Sequence, residues 1–360
     1  MTTAHHRPGL SHLAHRGWTR RGLWAWSMWP LSIVFGLLSG LRRWLYQNDW
    51  LKSEQVDALV VIVGNVLVGG VGKTPIVIAL AQHLRQQGWI VGVVSRGYGR
   101  TGDDCREVQA DSAPAALGDE PVLIHRRAGV PVFVSPRRAD AARALLATYP
   151  STNIILCDDG LQHYGLRRDV EICVFDDRGI GNGWLLPAGP LREPWPRAVD
   201  LVLHTGTQPA FEGFRASRTL ADHALRVDGS HVALAALKHP DALPLRAVAA
   251  VARPEQFFAM LRSVGLHVAK AVGLPDHDSF HSWDPLADRG FTVLCTEKDA
   301  IKLWRRNPEA LAVPLQLNVE PGFFHALDEL LQQRLQAKLS SRHGHTTSRT
   351  AGLPGHQGPA

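Results

Sequence analysis

The sequence predicts an α/β protein, and three observations lead to that fold class. Short apolar runs rich in β-branched residues, such as "LVVIV" (59–63), alternate with longer segments that have the apolar spacing of helices. Strands and helices that alternate in this way form a mainly parallel sheet covered on both faces. The pattern stops near residue 205, a second one begins at 247, and an uncharged stretch precedes both. We therefore expect a larger and a smaller α/β domain behind an N-terminal membrane-associated helix.

The 360 residues are enough for about two domains of ordinary size. Composition shifts and turn-rich stretches place the expected boundaries. The expected parts are an N-terminal membrane-associated segment (1–50), a nucleotide-binding domain (51–222), a linker ribbon (223–246), a smaller α/β domain (247–337) and a disordered tail (338–360).

The N-terminal segment carries the excess positive charge of the chain. Residues 1–48 contain six Arg and no Asp or Glu, which equals the formal net charge of +6. A basic terminus beside an apolar run suits an anionic membrane surface better than nucleic acid, whose readers spread basic residues over a folded face. We expect no nucleic-acid partner.

Residues 22–41 are uncharged and long enough to cross a bilayer core. Pro30 and the arginine pairs at both ends argue against a simple span, and the tryptophans favour the headgroup boundary. These are Trp24, Trp26, Trp29 and Trp44. We expect a membrane-embedded or interfacial helix with the rest of the chain in the cytoplasm, and a buried helix of a soluble domain is the alternative. No small-residue cleavage site follows, so we expect no secretory signal peptide.

The remaining elements follow from apolar periodicity. The helical segments are 75–88 and 139–150, and a second α/β pattern begins at 247–265. The strand-like segments are 59–63, 89–95, 153–160 and 170–177, and the segment 291–304 has the pattern of a strand, a loop and a helix. From Lys338 onward the chain is polar and contains Gly and Pro, which predicts disorder.

The stretch "GNVLVGGVGKT" (64–74) lies between a strand and a helix, which is the arrangement of a P-loop. In such a loop, backbone N–H groups and the helix N-terminus hold phosphate oxygens, a lysine neutralises charge and a Ser or Thr hydroxyl binds Mg²⁺. The strict spacing requires Gly where this chain has Leu67, so the loop belongs to a variant class. The predicted phosphate-binding residues are Gly69, Gly70, Val71, Gly72, Lys73 and Thr74.

A pair of carboxylates supplies the expected second half of this site. The apolar strand in "NIILCDDG" (153–160) ends at Asp158 and Asp159. Ligands collect at the carboxyl edge of parallel sheets, where a carboxylate can hold Mg²⁺ directly or through water. Which of the two approaches the metal more closely stays open at this point.

Further motifs occur in order along the chain. They are "SRGYGR" (95–100), "GDEP" (118–121), "DDGLQH" (158–163), "PAGPLREP" (187–194), "ARPEQF" (252–257), "PDH" (275–277) and "TEKDAIK" (296–302). Together with the P-loop, they resemble the tetraacyldisaccharide 4′-kinase family of lipid A synthesis. The resemblance implies an ATP- and Mg²⁺-dependent kinase at the cytoplasmic face of the bacterial inner membrane. Its acceptor would be an acylated glucosamine disaccharide 1-phosphate and its product lipid IV-A.

The resemblance also implies roles for individual residues. Asp119 matches the candidate base for the acceptor hydroxyl, Glu120 a candidate Mg²⁺ ligand and His277 a histidine that pairs with the base. By sequence alone, Asp119 is as consistent with a helix N-cap. Candidates for binding the substrate are Arg96, Arg100, Gln162, His163 and Arg192. The residues of "TEKDAIK" either contact nucleotide or cap the following helix. The oligomeric state stays open.

Two other functions remain alternatives to a kinase. The first is another P-loop enzyme of the variant class, such as a nucleotide-driven metallochaperone or a partition ATPase. The second is a membrane-tethered nucleotide-binding adaptor. The four cysteines are scattered and Val68 stands where a dimer-bridging lysine would be, which disfavours the first alternative.

Overall fold

The computed structural model describes residues 18–100 and 102–347. The helices are α1 (Leu23–Gln47), α2 (Lys73–Gln86), α3 (Pro114–Leu117), α4 (Asp119–Ala128), α5 (Arg138–Thr148), α6 (Pro254–Ser263), α7 (Glu297–Leu303) and α8 (Pro321–Thr347). The strands are β1 (Leu59–Gly64), β2 (Val91–Ser95), β3 (Arg106–Glu107), β4 (Val132–Val134), β5 (Ile154–Asp158), β6 (Val170–Phe175), β7 (Leu201–His204), β8 (Phe214–Leu220), β9 (His223–Leu225), β10 (His231–Ala233), β11 (Leu245–Ala249), β12 (Val268–Gly273), β13 (Thr292–Thr296), β14 (Leu311–Val313) and β15 (Leu315–Val319). The predicted α/β class is confirmed.

A larger sheet organises the first half of the chain. Within the described ranges it has nine strands in the order β15-β8-β7-β6-β1-β5-β2-β4-β3. The pairings from β4 through to β8 are parallel, and β3 and β15 add antiparallel edges. All six residues of β1 are buried, because helices cover both faces of the sheet. The loop that follows β1 therefore leaves the middle of the carboxyl edge.

A smaller sheet forms a second unit. Its strand order is β10-β9-β14-β13-β11-β12, with β11 to β14 parallel and the β9–β10 hairpin antiparallel. It has its own apolar cores, centred on buried side chains such as Phe258, Leu294 and Phe280. The chain passes between the two sheets at residues 221–222 and at Pro314. These two crossings are adjacent because β8 and β15 pair with each other.

The structure differs from the expectation for three parts of the chain: the linker ribbon, the smaller domain and the disordered tail. The segment expected as a linker ribbon (223–246) contributes β9, β10 and the start of β11 to the smaller sheet. Residues 315–337, expected in the smaller domain, return to the larger unit, where β15 pairs with β8 and α8 packs on the core through Phe323, Leu327 and Leu331. Backbone pairing with a distant strand has no local sequence signal, which is why the periodicity missed it.

The expected disordered tail (338–360) begins inside α8, which continues to Thr347. Lys338 ties the helix to the body, since its Nζ donates to the carbonyls of Val56 and Ala58. The helix therefore extends past the point where the composition becomes polar. The rest of the predicted tail, from residue 348, lies outside the described residues.

Helix α1 lies on the surface. It begins after Gly22 and includes Pro30. Ser32 is buried and donates to the Leu185 carbonyl, while Trp26 and Trp29 pack on Trp184. Among the described residues it is the one helix with the length and apolar composition of a membrane span, a test that soluble core helices and signal sequences also pass. Only 11% of its most apolar window is buried, so it is not a core helix. The part of the predicted N-terminal segment before Trp18 lies outside the described residues.

Candidate active site

The phosphate loop joins β1 to α2 at the centre of the larger sheet. Gly72 adopts φ 80°, a left-handed conformation that glycine allows without steric cost, and α2 begins at Lys73. Lys73 Nζ lies 3.2 Å from Asn65 Oδ1 and 3.2 Å from Asp159 Oδ1, and Thr74 is buried beside it. The ammonium and the free N–H groups of the helix N-terminus thus share one anion-binding position.

Two arginines outside the loop hold its backbone. Arg178 donates to the carbonyls of Val68 and Gly70 at 3.0 and 3.1 Å. Arg218, which is half-buried, donates to the Val71 carbonyl at 2.6 Å and to Thr205 Oγ1 at 2.8 Å. Burial lowers the pKa of this guanidinium, which still stays charged at neutral pH. Carbonyls bound from outside leave the loop N–H groups for phosphate.

Strand register brings Asp158 next to the phosphate loop. In the parallel β1–β5 pair Asp158 stands opposite Val63, one residue before β1 ends. Its Oδ2 accepts a hydrogen bond from Ser95 Oγ at 3.3 Å, and its buried Oδ1 has no hydrogen-bond partner among the described residues. Burial, reinforced by the negative charge of Glu120, raises the pKa of Asp158 to about 7. Such a group is suited to a cationic ligand that would favour its charged form.

Asp159 follows in a left-handed conformation, with φ 50°. Its carboxylate pairs with Lys73 at 3.2 Å and with Arg192 at 3.4 Å. Burial acts to raise its pKa, but the charges of Lys73 and Arg192 outweigh burial and hold the pKa below its usual range. The two neighbouring aspartates therefore differ: Asp159 is a paired anion, and Asp158 is the one with an unused oxygen.

A second cluster forms where the two units meet. Asp119 is the first residue of α4 in the larger unit, and His277 follows β12 in the smaller one. His277 Nδ1 lies 3.0 Å from Asp119 Oδ2, although 158 residues separate them in the chain. His277 has φ 64°, a conformation that few non-glycine residues adopt and that occurs preferentially at functional sites. The aspartate is not the N-cap residue, since Gly118 occupies that position.

Helix α7 adds two lysines to this pair. Lys302 Nζ donates to Asp119 Oδ2 at 2.9 Å, and Lys298 Nζ lies 3.3 Å from His277 Nε2. Burial acts to raise the pKa of Asp119, but its hydrogen bonds with His277 and Lys302 bring it below the usual value. Asp119 is thus a carboxylate held in the charged form.

Of the two roles that the sequence left open for the motif "TEKDAIK", the structure shows the helix cap, and contact with nucleotide stays a prediction. Thr296 Oγ1 accepts from the Asp299 N–H and caps α7, and Asp299 in turn accepts from the Ala250 N–H at 2.9 Å. Glu297 and Lys298 line the same cleft as the phosphate loop. Lys298 and Lys302 are four residues apart, so they lie on one face of the helix.

The expected magnesium ligands lie around the phosphate loop. Thr74, Glu120, Asp158 and Asp159 all line the cleft, and the unpartnered Oδ1 of Asp158 fits a cation. In the described part of the chain, no group of three or more His, Cys, Asp or Glu is placed to hold a metal by itself. Magnesium in phosphoryl-transfer sites uses one or two carboxylates plus phosphate oxygens and water, so the residues present fit that ion.

Four of the five predicted substrate-binding residues line the cleft, and Arg100 does not. Arg192 and Gln162 lie at the phosphate loop, where Gln162 Nε2 donates to the Asn65 carbonyl at 3.1 Å. Arg96 is exposed and His163 half-buried, and both line the cleft. Burial and the charge of Arg138 lower the pKa of His163 to about 4, so its ring is neutral at neutral pH. Arg100 is engaged within its own loop and donates to the Asp104 carbonyl at 2.6 Å.

The cleft between the units measures about 2530 Å³ and also borders α1. Phe35, Leu38, Ser39 and Arg42 of α1 line it together with the phosphate loop. Asp119 lines an adjoining cavity of about 440 Å³, and His277 lines both. An apolar surface helix and a phosphate-binding loop thus share one cavity.

Sequence reasoning missed several residues of the site. The lysine spacing in α7 was a usable signal for Lys302, because positions four apart on a helix share a face. Nothing local distinguishes the arginines that reach the site from other parts of the chain. These are Arg138, Arg178, Arg218 and Arg253.

Known proteins resemble the chain over most of its length. A family model described as tetraacyldisaccharide-1-P 4′-kinase matches residues 24–335. The tetraacyldisaccharide 4′-kinase of Acidovorax sp. (strain JS42) is 54% identical over 338 residues, which cover 92% of this chain and 98% of that protein. The protein of the same name from Polaromonas naphthalenivorans (strain CJ2) is also 54% identical, over 341 residues, covering 92% and 98%.

A solved structure agrees with these relatives. LpxK from Aquifex aeolicus, crystallised in complex with ATP, superposes with a TM-score of 0.74 at 27% identity, covering 86% of this chain and 99% of that one. The fold, the matched family model and the relatives all agree with the resemblance drawn from the motifs. The chain belongs to the tetraacyldisaccharide-1-P 4′-kinase family.

Proposed function

We propose that the chain transfers the γ-phosphoryl group of ATP to the 4′-hydroxyl of a tetraacyldisaccharide 1-phosphate, which yields lipid IV-A and ADP. The observation that carries this proposal is the cleft in which the phosphate loop, His277 and an apolar surface helix meet, with Asp119, the partner of His277, in the adjoining cavity. Family membership supplies the reaction class. The bond between the γ-phosphorus and its bridging oxygen breaks as the bond to the 4′-oxygen forms.

Within this proposal, the loop residues hold the triphosphate. Gly69 to Gly72 present backbone N–H groups, and Lys73 neutralises phosphate charge. Thr74, Glu120 and Asp158 would hold Mg²⁺, which neutralises charge that develops on the phosphate oxygens. Asp159 keeps Lys73 in place, as their 3.2 Å contact supports.

Asp119 receives the proton of the acceptor hydroxyl. Both of its hydrogen bonds, from His277 and Lys302, fall on Oδ2, which leaves Oδ1 for the acceptor. A base acts only in its deprotonated form, and the lowered pKa of Asp119 keeps it so across the neutral range. His277 and Lys302 fix the direction of the carboxylate.

The acceptor would approach along α1. The exposed apolar side chains of α1 include Leu31, at 57% exposure, and Leu37, at 68%, while Leu38 and Arg42 of the same helix line the cleft. An acylated sugar phosphate combines apolar chains with negative charge, and α1 offers both kinds of contact. We infer that the enzyme works at the cytoplasmic face of the inner membrane, with α1 in the lipid or at its boundary.

The test is an assay of purified protein with ATP, Mg²⁺ and a detergent-dispersed acylated disaccharide 1-phosphate. Wild type should form the phosphorylated lipid. Asp119→Asn should lower kcat by about 10²- to 10⁴-fold, the usual size of a general-base contribution, with ATP affinity unchanged. His267→Asn, an exposed position, serves as a control for handling and should act like wild type.

Two outcomes would contradict the proposal. ATP hydrolysis without any lipid product in wild type favours a P-loop ATPase of another kind. Nucleotide binding that Asp119→Asn leaves intact, with no transfer in either protein, favours the membrane-tethered adaptor.

A further inference from the structure

The buried carboxylate of Asp176 contacts one arginine from each of the two units. It follows the end of β6 in the larger sheet and is 7% exposed. Arg178 Nε lies 3.0 Å from each of its oxygens. Arg253 of the smaller unit, in the loop between β11 and α6, places Nη2 3.2 Å from Oδ2. One carboxylate therefore links the smaller unit to Arg178.

The other end of Arg178 reaches the phosphate loop. Its Nη1 and Nη2 donate to the carbonyls of Val68 and Gly70. A guanidinium is planar and rigid, so the direction in which Asp176 holds Nε also fixes the direction of both Nη groups. A continuous series of contacts thus runs from Arg253 to the loop: an ion pair joins Arg253 to Asp176, and hydrogen bonds join Asp176 to Arg178 and Arg178 to the loop carbonyls.

We propose that Arg253 is a positioning residue that couples the smaller unit to the phosphate loop through Asp176 and Arg178. The proposal rests on the proposed function in taking ATP as the ligand of the loop. Without Arg253, the Oδ2 of the buried carboxylate keeps Arg178 as its remaining arginine partner, and the Arg178 guanidinium can rotate to direct an Nη group to that oxygen. The loop carbonyls then lose their fixed partners, and the N–H groups that face phosphate lose their order.

A direct role for Arg253 on the triphosphate is the competing explanation. Its side chain is 36% exposed and lines the cleft, so a phosphate could reach it. The contact with Asp176 favours the positioning role, because the guanidinium is already engaged by a carboxylate. The two roles differ in what they affect: positioning changes ATP affinity, and direct action on the transferred group changes kcat.

The experiment measures ATP binding by calorimetry on the full chain in detergent, with Mg²⁺ and without acceptor. We expect Arg253→Gln to weaken ATP binding about tenfold, because the buried Asp176 loses one of its two arginine partners. Asp176→Asn should weaken it at least as much, and the double variant should be no weaker than Asp176→Asn alone. Arg262→Gln, an exposed arginine on α6 without an ion pair among the described residues, should bind like wild type.

Steady-state kinetics and a conservative variant complete the test. Arg253→Gln should raise KM for ATP and leave KM for the lipid and kcat at saturating ATP unchanged, and Arg253→Lys should recover part of the affinity. Additive losses in the double variant, an unchanged ATP affinity, or a lower kcat with normal affinity would each overturn the proposal. Thermal unfolding shows whether Arg253→Gln is misfolded. If it is, the ATP affinity of Arg253→Lys tests the positioning role instead.

The calorimetric result does not depend on the acceptor. If wild type binds ATP but forms no phosphorylated lipid, the proposed function fails and the binding comparison still tests the role of Arg253. If wild type forms the product and Arg253→Gln binds ATP normally, only the positioning role fails.

Discussion

At the scale of single residues, the chemistry of the site depends on how charges are shared between neighbours. Asp158 and Asp159 are adjacent, yet burial and Glu120 raise the pKa of the first, while Lys73 and Arg192 overcome burial and lower that of the second. The separation follows from strand geometry, because successive side chains at a strand end point in different directions. The two carboxylates can therefore serve different purposes: Asp158 can bind a cation, and Asp159 holds Lys73.

Replacing Lys302 should change the pH dependence of the reaction. Lys302→Met removes a hydrogen bond and a positive charge that lower the pKa of Asp119, so that pKa rises. Less of the base is then deprotonated in acid, and the acid limb of kcat/KM moves to higher pH. The rate should fall more at pH 5 than at pH 8. A pH–rate profile measures this, with the exposed Lys270→Met as the matched control.

The contact between Lys302 and Asp119 also contributes to the stability of the fold, and the pKa of Asp119 determines in which direction this contribution changes with pH. A carboxyl whose folded-state pKa is depressed stabilises the fold above its unfolded pKa, ordinarily about 3.8, and loses that contribution as pH falls through the folded value. Thermal unfolding of Lys302→Met should thus differ from wild type at pH 7 and converge with it in strong acid. An acid limb that stays in place would show that Asp119 is not the titrating base.

At the scale of elements, the phosphate loop is shaped from outside as much as by its own glycines. Arg178 and Arg218 together bind the carbonyls of Val68, Gly70 and Val71. At Gly72 there is no space for a side chain, because a Cβ atom there would overlap the Arg218 guanidinium. The variant spacing, with Leu67 where the strict motif has glycine, is compatible with a loop held in this way.

Gly72→Ala should disrupt ATP binding. The alanine would occupy φ 80° at a cost of roughly 1–2 kcal/mol and would also displace Arg218 from the Val71 carbonyl. We expect ATP affinity to fall at least about tenfold, as measured by calorimetry. Gly88→Ala, just past the far end of α2, is the control, because Gly88 has φ 85° and no atom within 4 Å of a Cβ. Equal ATP affinity in the two variants would contradict the steric argument.

At the scale of the whole molecule, the site exists only where distant parts of the chain meet. The larger unit supplies the phosphate loop and Asp119, the smaller unit supplies His277 and the lysines of α7, and α1 forms part of the wall. The two crossings between the sheets lie side by side at β8 and β15. The backbone joins the units at this one place, and side-chain contacts such as Asp119 with His277 and Lys302 join them at the site.

Charged residues on the outer face of α1 should weaken membrane binding. Leu37 and Leu41 are 68% and 53% exposed and lie four residues apart, so they share a face. The double change Leu37→Asp and Leu41→Asp removes about 3 kcal/mol or more of apolar burial in lipid, which should lower partitioning by at least about a hundredfold. Sedimentation with vesicles of anionic phospholipid measures it.

The matched control is Leu286→Asp, an equally exposed leucine of the smaller unit, at 63%. It should sediment like wild type. If the α1 variant still sediments fully, the membrane contact lies elsewhere, with residues 1–17 as the next segment to test. If the control is lost too, general destabilisation explains both results.

Features determined by local spacing were predictable from the sequence alone. The phosphate loop between strand and helix, the carboxylate pair at a strand end, the apolar α1 and the α/β class all follow from side-chain period and from residues with special conformational freedom. The ordered motifs also identified the family, which the relatives confirm. These signals act over a few residues, where backbone hydrogen bonding and side-chain period are fixed by the chain itself.

The tertiary structure alone decided the rest. It returned β15 to the larger sheet and α8 to the core of the larger unit, drew 223–246 into the smaller sheet, and brought Arg253 to Asp176 and Lys302 to Asp119. Such contacts join residues tens to hundreds of positions apart, and their energy depends on which surfaces can be buried together. The physical reason is that the pairing of distant strands depends on how the whole chain packs. The spacing of apolar side chains within one helix or strand, by contrast, is the same in every fold that contains that element.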